Sequence, residues 1–230
     1  ATHPLSQKVD IPLVLPEKKD GRLPFILDSM GRAKRSIGDH TAMYGLVTGP
    51  LTLASHLRGT DLFMDIYENP EFLHELLDYC CRVAIRVSEY YIQAGMDVIA
   101  VVDPVVSQIS PRHFAAYLEE PFKQVFQAIH QLNTYSSFFV CGDATKNIPL
   151  MCATHPDSIS IDENINLPAV KEVTDQFNIT ICGNIPLTTC MLLGSQQDNM
   201  KYVVDLLENI GSCSNFILSP GCDMPFDTPI

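Results

Sequence analysis

Six short apolar runs alternate with segments of helical period along this chain, and that alternation limits the possible folds more than any other feature of the sequence. The apolar runs lie near 42–48, 97–102, 137–141, 158–162, 178–182 and 215–219. Helical periodicity is clearest at 60–94, 111–132, 145–154, 166–176 and 195–211. Because near-continuous apolar strands that alternate with helices are typical of a parallel sheet covered by helices, the pattern predicts an α/β fold.

The number of strand–helix units favours a barrel over an open sheet. Six units in succession suggest most of a (β/α)8 barrel, the TIM barrel, which has eight. A doubly wound open sheet is the alternative, but "TGP" at 48–50 and "CGD" at 141–143 lack the spacing of phosphate and dinucleotide loops. We predict a partial barrel over 26–230 as a single domain, beginning with a helix near 26–36. Residues 1–25, rich in proline and charge, are predicted to form an N-terminal arm or loop.

Composition and charge exclude several functional classes. The chain has 230 residues and a net charge of −12, which argues against a nucleic-acid-binding surface because phosphate neutralisation needs clustered Lys and Arg. No apolar run reaches the roughly 18 residues of a membrane helix, and the first residues do not resemble a signal peptide. Eight cysteines without a CxxC pair indicate reduced thiols. We therefore expect a cytoplasmic protein that binds neither nucleic acid nor membrane.

Thiol and carboxylate side chains stand at or just past the ends of most predicted strands. They are Asp103, Cys141, Asp162, Cys182 and Cys222. In a barrel, catalytic groups gather at the carboxyl ends of the strands, and thiolate and carboxylate groups are zinc ligands. A small buried hydrophobe is the alternative for any single cysteine. The residues alone therefore leave both a metal site and a packed core open.

Several stretches resemble the uroporphyrinogen decarboxylase superfamily, and they cover nearly the whole chain in the expected order. They are "GLVTGPLTLASHLRGT" (45–60), "GMDVIAVVDPVVSQISPRHFAAYLEEP" (95–121), "FVCGDAT" (139–145), "SISIDE" (158–163), "CGNIP" (182–186) and "SPGCDMPFDTP" (219–229). The resemblance is closer to the corrinoid-dependent methyltransferases, such as the methylcobalamin:coenzyme M methyltransferases, than to the decarboxylases. Leu51 stands where the decarboxylases have an aromatic residue, and Cys222 in "GCD" stands where they place a histidine.

This resemblance implies a zinc site. In the methyltransferases, a His-x-Cys motif after one strand and a cysteine in "GCD" after the last strand bind zinc, and these cysteines match Cys141 and Cys222. A later acidic residue of that family also approaches the metal; it matches Asp162, which is therefore a candidate ligand and catalytic group. The histidine is absent, because position 139 is Phe139. Cys182 is a further candidate ligand from its position at a strand end alone.

Asp103 is the second candidate catalytic residue. It lies in "VVDPVVSQISP", where the family has a similar aspartate and where Ser107 also matches. The resemblance implies that Asp103 shapes or polarises the substrate pocket. A cap on the helix that follows this loop is the alternative role.

The activity implied by the resemblance is methyl transfer from a methylated corrinoid to a small thiol or a related acceptor. Zinc would be the cofactor, and methylcobalamin or a corrinoid protein the methyl donor. The setting would be methanogenesis or another branch of one-carbon metabolism, and a homo-oligomeric state is left open. Three alternatives remain: transfer without a metal, a uroporphyrinogen decarboxylase-like tetrapyrrole decarboxylase, and a non-catalytic relative that binds a corrinoid protein.

The resemblance also numbers the six units as the third to eighth of the barrel. Six units alone would leave two exposed parallel edges, which invite pairing with another chain. We therefore expect the first two strands to be supplied by residues beyond this sequence or by a partner subunit.

Overall fold

The computed structural model describes residues 3–7, 10–12 and 14–229, and its described part contains one parallel sheet of six strands. Their order in the sheet is their order in the chain. The strands are β1 (Tyr44–Thr48), β2 (Val98–Val102), β3 (Tyr135–Val140), β4 (Ser158–Ile161), β5 (Thr180–Ile185) and β6 (Phe216–Pro220). This confirms the α/β prediction with its six parallel strands.

Helices connect the strands and cover one face of the sheet. They are α1 (Leu23–Ile37), α2 (Pro50–Arg58), α3 (Leu62–Glu68), α4 (Pro70–Gln93), α5 (Pro111–Tyr117), α6 (Glu119–Gln131), α7 (Ile148–Cys152), α8 (Leu167–Gln176) and α9 (Gln196–Asn209). Short 3-10 turns lie at Gly59–Asp61, Pro104–Gln108 and Thr145–Asn147, and a π-helical segment lies at Leu187–Leu192. The helix predicted from residue 26 therefore begins three residues earlier, at Leu23.

Two long helical segments predicted from the sequence are each divided in the structure. The segment 60–94 is interrupted at Asn69, whose φ of −139° is not helical, because the following proline disfavours helical backbone in the residue before it. The segment 111–132 is interrupted at Leu118, since Pro121 has no N–H to donate to the carbonyl of Tyr117. Helix α2 begins at a proline and lies outside the segments of clearest helical period, although "ASHLRGT" at 54–60 was expected to be helical at His56.

The core lies between the sheet and the covering helices. Its most compact part is a set of fully buried phenylalanines, in which the ring centroids of Phe122 and Phe138 are 4.3 Å apart. Side chains alternate between the two faces of a strand, so Phe139 points to the opposite, inner face. The strand register aligns Val102, Phe139, Ser160 and Cys182 across that inner face.

The inner face is exposed at both ends of the sheet. Tyr44 and Leu46 on β1 are 46% and 52% exposed, and Ile217 on β6 is 44% exposed. In the described part of the chain, β1 pairs only with β2 and β6 only with β5. The expectation that further strands complete the barrel at these edges stays a prediction.

The N-terminal segment packs against the second helix. Leu5 is buried, and its carbonyl accepts a hydrogen bond of 2.9 Å from Arg58 Nη1. Residues 1, 2, 8, 9 and 13 of the predicted arm lie outside the described residues, as does residue 230, and the division into an arm and a barrel domain stays a prediction. Within the described ranges, no helix is both long enough and apolar enough to cross a membrane.

Candidate functional site

The thiols of Cys141 and Cys222 meet at the carboxyl ends of their strands. Cys141 directly follows β3, Cys222 lies just past β6, and their Sγ atoms are 2.7 Å apart. Both side chains are half-buried. Two strands, β4 and β5, separate β3 from β6 in the sheet. The structure thus brings together the two cysteines, here called the thiol pair, that the sequence singled out as zinc ligands.

The surroundings of the thiol pair disfavour negative charge on sulfur. Burial raises the pKa of Cys141 well above its ordinary value, and the neighbouring thiol of Cys222 and the carboxylates of Asp162 and Asp223 raise it further. A bound cation has the opposite effect, because it favours the thiolate form. The surroundings of Cys141 therefore favour its protonated form unless a positive charge is bound beside it.

Asp162 lies beside the thiol pair and links two loops. Its Oδ2 accepts a hydrogen bond of 2.8 Å from the backbone N–H of Gly142, and its Oδ1 accepts bonds from the backbone and side chain of Asn164. Across the described ranges 3–7, 10–12 and 14–229, no three His, Cys, Asp or Glu side chains converge closely enough to hold a metal ion. A direct ligand role for Asp162 therefore stays a prediction.

Cys182 and Phe139 lie one row deeper on the inner face than the thiol pair. Cys182 is 4% exposed, with the hydroxyls of Ser158 and Ser160 beside it, and burial raises its pKa. Phe139, which replaces the expected histidine, is half-buried in the same row. Cys182 lies three positions before the end of β5, so its side chain points into the barrel below the mouth, and a ligand role for it stays a prediction.

Asp103 caps a helix. Its carboxylate is fully buried and accepts hydrogen bonds from Leu51 N (2.9 Å), Thr52 N (3.0 Å) and Thr52 Oγ1 (2.6 Å). These groups belong to the first turn of α2. Asp103 therefore caps the helix that precedes it in the chain, whereas the alternative role named above was a cap on the helix that follows it. Burial outweighs the three bonds and raises the pKa of Asp103 to about 7. These hydrogen bonds give Asp103 a structural role, in which it fixes the start of α2 beside the loop after β2. A catalytic role for Asp103 stays a prediction.

Two glycines beside the thiols allow the close approach of four loops, in two pairs. Gly142 has a φ of +83°, and a Cβ there would lie 2.8 Å from Ser107 Oγ. A Cβ on Gly221 would lie 2.6 Å from the backbone nitrogen of Glu163. Neither residue was singled out from the sequence, although each stands directly beside a candidate cysteine. That adjacency is the signal that could have identified them.

We expect Gly142→Ala to lower the free energy of unfolding by about 2 kcal/mol. Alanine is strained at the positive φ of this position, and its Cβ would overlap Ser107. Gly211→Ala is the matched control, since Gly211 has a φ of +77° but open space around its Cβ position. The control is expected to lose about 1 kcal/mol. Urea unfolding of both variants measures the difference. Equal losses would show that the contact with Ser107 has no energetic weight.

The loops that follow the strands are predominantly acidic. Their carboxylates are Asp103, Asp143, Asp162, Glu163, Asp223 and Asp227. Among the described residues of these loops, Lys146 is the only Lys or Arg. These described loops therefore favour cations and disfavour ligands with several negative charges.

A family comparison covers the whole described structure. The profile of the family described as uroporphyrinogen decarboxylase (URO-D) matches residues 2–230. The chain belongs to this family. The resemblance stated from the sequence motifs is thereby confirmed.

The relatives of this family member include enzymes of two activities. The chain is 26% identical over 213 residues to the methylcobamide:CoM methyltransferase MtbA of Methanosarcina acetivorans, covering 91% of this chain and 61% of the relative. It is 28% identical to the methyltransferase MtaA of Methanosarcina barkeri, covering 91% and 60%. It is 23% identical to the uroporphyrinogen decarboxylase of Trichodesmium erythraeum, covering 98% and 65%. The chain thus spans about three fifths of the methyltransferases that it matches.

A solved structure confirms the barrel. The methyltransferase from Methanosarcina mazei superposes with a TM-score of 0.90 at 24% identity, covering 100% of this chain and 67% of the other. At that identity the likeness establishes the fold alone. The six-stranded sheet is accordingly part of a TIM-barrel architecture, as the sequence predicted.

Proposed function

We propose that this protein transfers a methyl group from a methylated corrinoid to a thiol, with a zinc ion held by Cys141 and Cys222. The observation that carries the proposal is the 2.7 Å approach of these two thiols at the mouth of the barrel. The relatives with 26% and 28% identity are methylcobamide:CoM methyltransferases, and this likeness supports the same reaction.

The donor chemistry of the thiol pair fits zinc. Zinc prefers thiolate ligands, and Cys141 and Cys222 would supply two of them from adjoining loops. Both thiols would release their protons, because only thiolates are ligands. Asp162 is the proposed third ligand, and Phe139 contributes an apolar wall in place of the histidine.

The bound metal would supply a positive charge that lowers the pKa of an acceptor thiol placed on it. The protein's own part is to hold this thiol over the barrel mouth, with the Cys141 and Cys222 loops fixed by Asp162 and Gly221. In the transfer, the carbon–cobalt bond of the corrinoid breaks and a carbon–sulfur bond forms. The electron pair stays with cobalt, which passes from Co(III) to Co(I), and the thiol proton goes to solvent. A corrinoid protein is the proposed carrier of the methyl group.

Tetrapyrrole decarboxylation is the rival activity, since decarboxylases are among the relatives. A substrate that is decarboxylated carries carboxylates, and the described strand-end loops offer it a single cation, Lys146, against five carboxylates besides the buried Asp103. Charge repulsion by these loops therefore favours methyl transfer.

The test is anaerobic incubation of the protein with methylcobalamin and a panel of thiols, following the cob(I)alamin spectrum and the methyl thioether. We expect turnover with about one zinc per chain and its loss after chelation. Turnover by metal-free protein would replace the zinc proposal with transfer by protein groups. Release of carbon dioxide from uroporphyrinogen without methyl transfer would establish the decarboxylase. Binding of a corrinoid protein without either reaction would establish a non-catalytic relative.

A further inference from the structure

The sheet alone does not account for the closeness of the two thiols. β3 and β6 are three steps apart in the strand order, and neighbouring strands lie about 4.8 Å apart, so the strand ends are separated by about 14 Å along the sheet. The Sγ atoms nevertheless approach to 2.7 Å. The loops beyond the strands must therefore set this distance.

The loop formed by residues 162–165 touches the neighbour of each thiol. On one side, the Asp162 carboxylate accepts the hydrogen bond from Gly142, the residue after Cys141. On the other side, the backbone of Glu163 packs against Gly221, the residue before Cys222, so closely that a Cβ on Gly221 would lie 2.6 Å from Glu163 N. The 162–165 loop is thus a spacer between the two thiol-bearing loops.

A buried asparagine holds both ends of this spacer. Asn184 on β5 is 2% exposed, and its Nδ2 donates to the carbonyl oxygens of Asp162 (3.0 Å) and Ile165 (2.7 Å). Both amide hydrogens are used, which fixes the orientation of the side chain. The Tyr202 hydroxyl donates to the backbone carbonyl of Asn184 at 3.2 Å and holds the asparagine from the side of α9.

We propose that Asn184 is a positioning residue that sets the separation of the thiol pair through the 162–165 loop. The proposal concerns the same site as the proposed function but does not require that function, since it predicts a distance and not a reaction. Residues that orient metal ligands from behind typically change metal affinity by about 10- to 100-fold when removed. An asparagine that only satisfied buried carbonyls would change stability and leave the thiol separation unaltered.

The chain contains a matched control. Asn147 is also 2% exposed, and its Nδ2 also donates to two carbonyls of one strand-end loop, those of Val106 (2.9 Å) and Ile109 (3.0 Å). Asn147→Ala and Asn184→Ala therefore remove the same group from the same kind of environment. The loop held by Asn147 contacts Gly142 through Ser107, but it takes no part in the Asp162–Gly142 hydrogen bond or the Glu163–Gly221 contact, so the control leaves the spacer in place.

The probe is phenylarsine oxide, which bonds two neighbouring thiols. Two sulfur–arsenic bonds form, the two thiol protons and the arsenic-bound oxygen leave as water, and no oxidant or reductant is needed. Metal-free protein is titrated with the probe, and Cys222→Ser measures binding by the other cysteines. We expect tight binding by the parent protein, a loss of affinity of about 10-fold or more in Asn184→Ala, and a change of less than about threefold in Asn147→Ala.

Equal probe affinity in a folded Asn184→Ala variant and the parent protein would overturn the proposal. Should Asn184→Ala fail to fold, Gly221→Ala displaces the spacer from the Cys222 side and must lower probe affinity instead; unchanged affinity there overturns the proposal equally. If Asn184→Ala lowers the probe affinity but the parent protein transfers no methyl group, the positioning role is retained and the proposed function is rejected.

Discussion

Cys222→Ser is expected to abolish zinc binding and to lower the rate of methyl transfer by more than about 100-fold. The serine hydroxyl is not a zinc ligand at neutral pH, and the variant leaves Cys141 alone at the mouth of the barrel. A loss above 100-fold follows because groups that only support a ligand already contribute about 10- to 100-fold. Metal analysis of the purified variant and the cob(I)alamin assay measure both effects.

Cys213→Ser is the control for this experiment. Cys213 is exposed and lies before the start of β6, at the opposite end of that strand from Cys222. It is expected to keep the metal content and the rate of the parent protein. If Cys222→Ser retained both zinc and activity, the thiol pair would not be the metal site. Loss of activity with full zinc content would assign Cys222 to contact with the substrate instead.

The stability of the protein is expected to fall between pH 4 and pH 7 because of Asp103. Burial raises the pKa of this carboxyl to about 7 in the folded protein, whereas it ionises near 3.8 when unfolded. The folded state therefore binds more protons than the unfolded state in this interval, and stability decreases as pH rises. The shift corresponds to an upper bound of about 4 kcal/mol. Urea unfolding between pH 4 and pH 8 measures the slope.

Asp103→Asn separates this contribution from the other titrating groups. The variant has no proton to lose, so we expect a flatter dependence of unfolding free energy on pH. At pH 5 it is expected to be less stable than the parent by about 2 kcal/mol, because one of the N–H groups of Leu51 and Thr52 loses its acceptor. Identical pH profiles for the two proteins would show that Asp103 is ionised in the fold throughout.

The strands were predictable because each is a short apolar run with a polar end. β2, for example, was expected at 97–102 and is observed at Val98–Val102. The start of helix α2 was not, because its cap comes from Asp103, about 50 positions away, and Gly49 before the helix has no side chain to cap it. Local periodicity cannot indicate a helix whose first turn is stabilised from another strand.

The thiol pair was predictable from the motif resemblance, but its support was not. Cys141 and Cys222 matched a family pattern, whereas the roles of Asn184 and Gly221 depend on loops that meet only after folding. The ligand role predicted for Cys182 is affected by a related limit of the sequence. Its position near a strand end was visible in the sequence, but its depth within the barrel depends on the register between β4 and β5.

Four side chains at the strand ends share a direction: each holds the unit that precedes it. Asp103 holds the start of α2, Asn147 holds the loop after β2, Asp162 holds Gly142 after β3, and Asn184 holds the loop after β4. The β/α units of this chain are consequently not interchangeable modules. Swapping one unit for its counterpart from a distant homologue would disturb the unit before it, so recombination should succeed only when adjacent pairs are exchanged together.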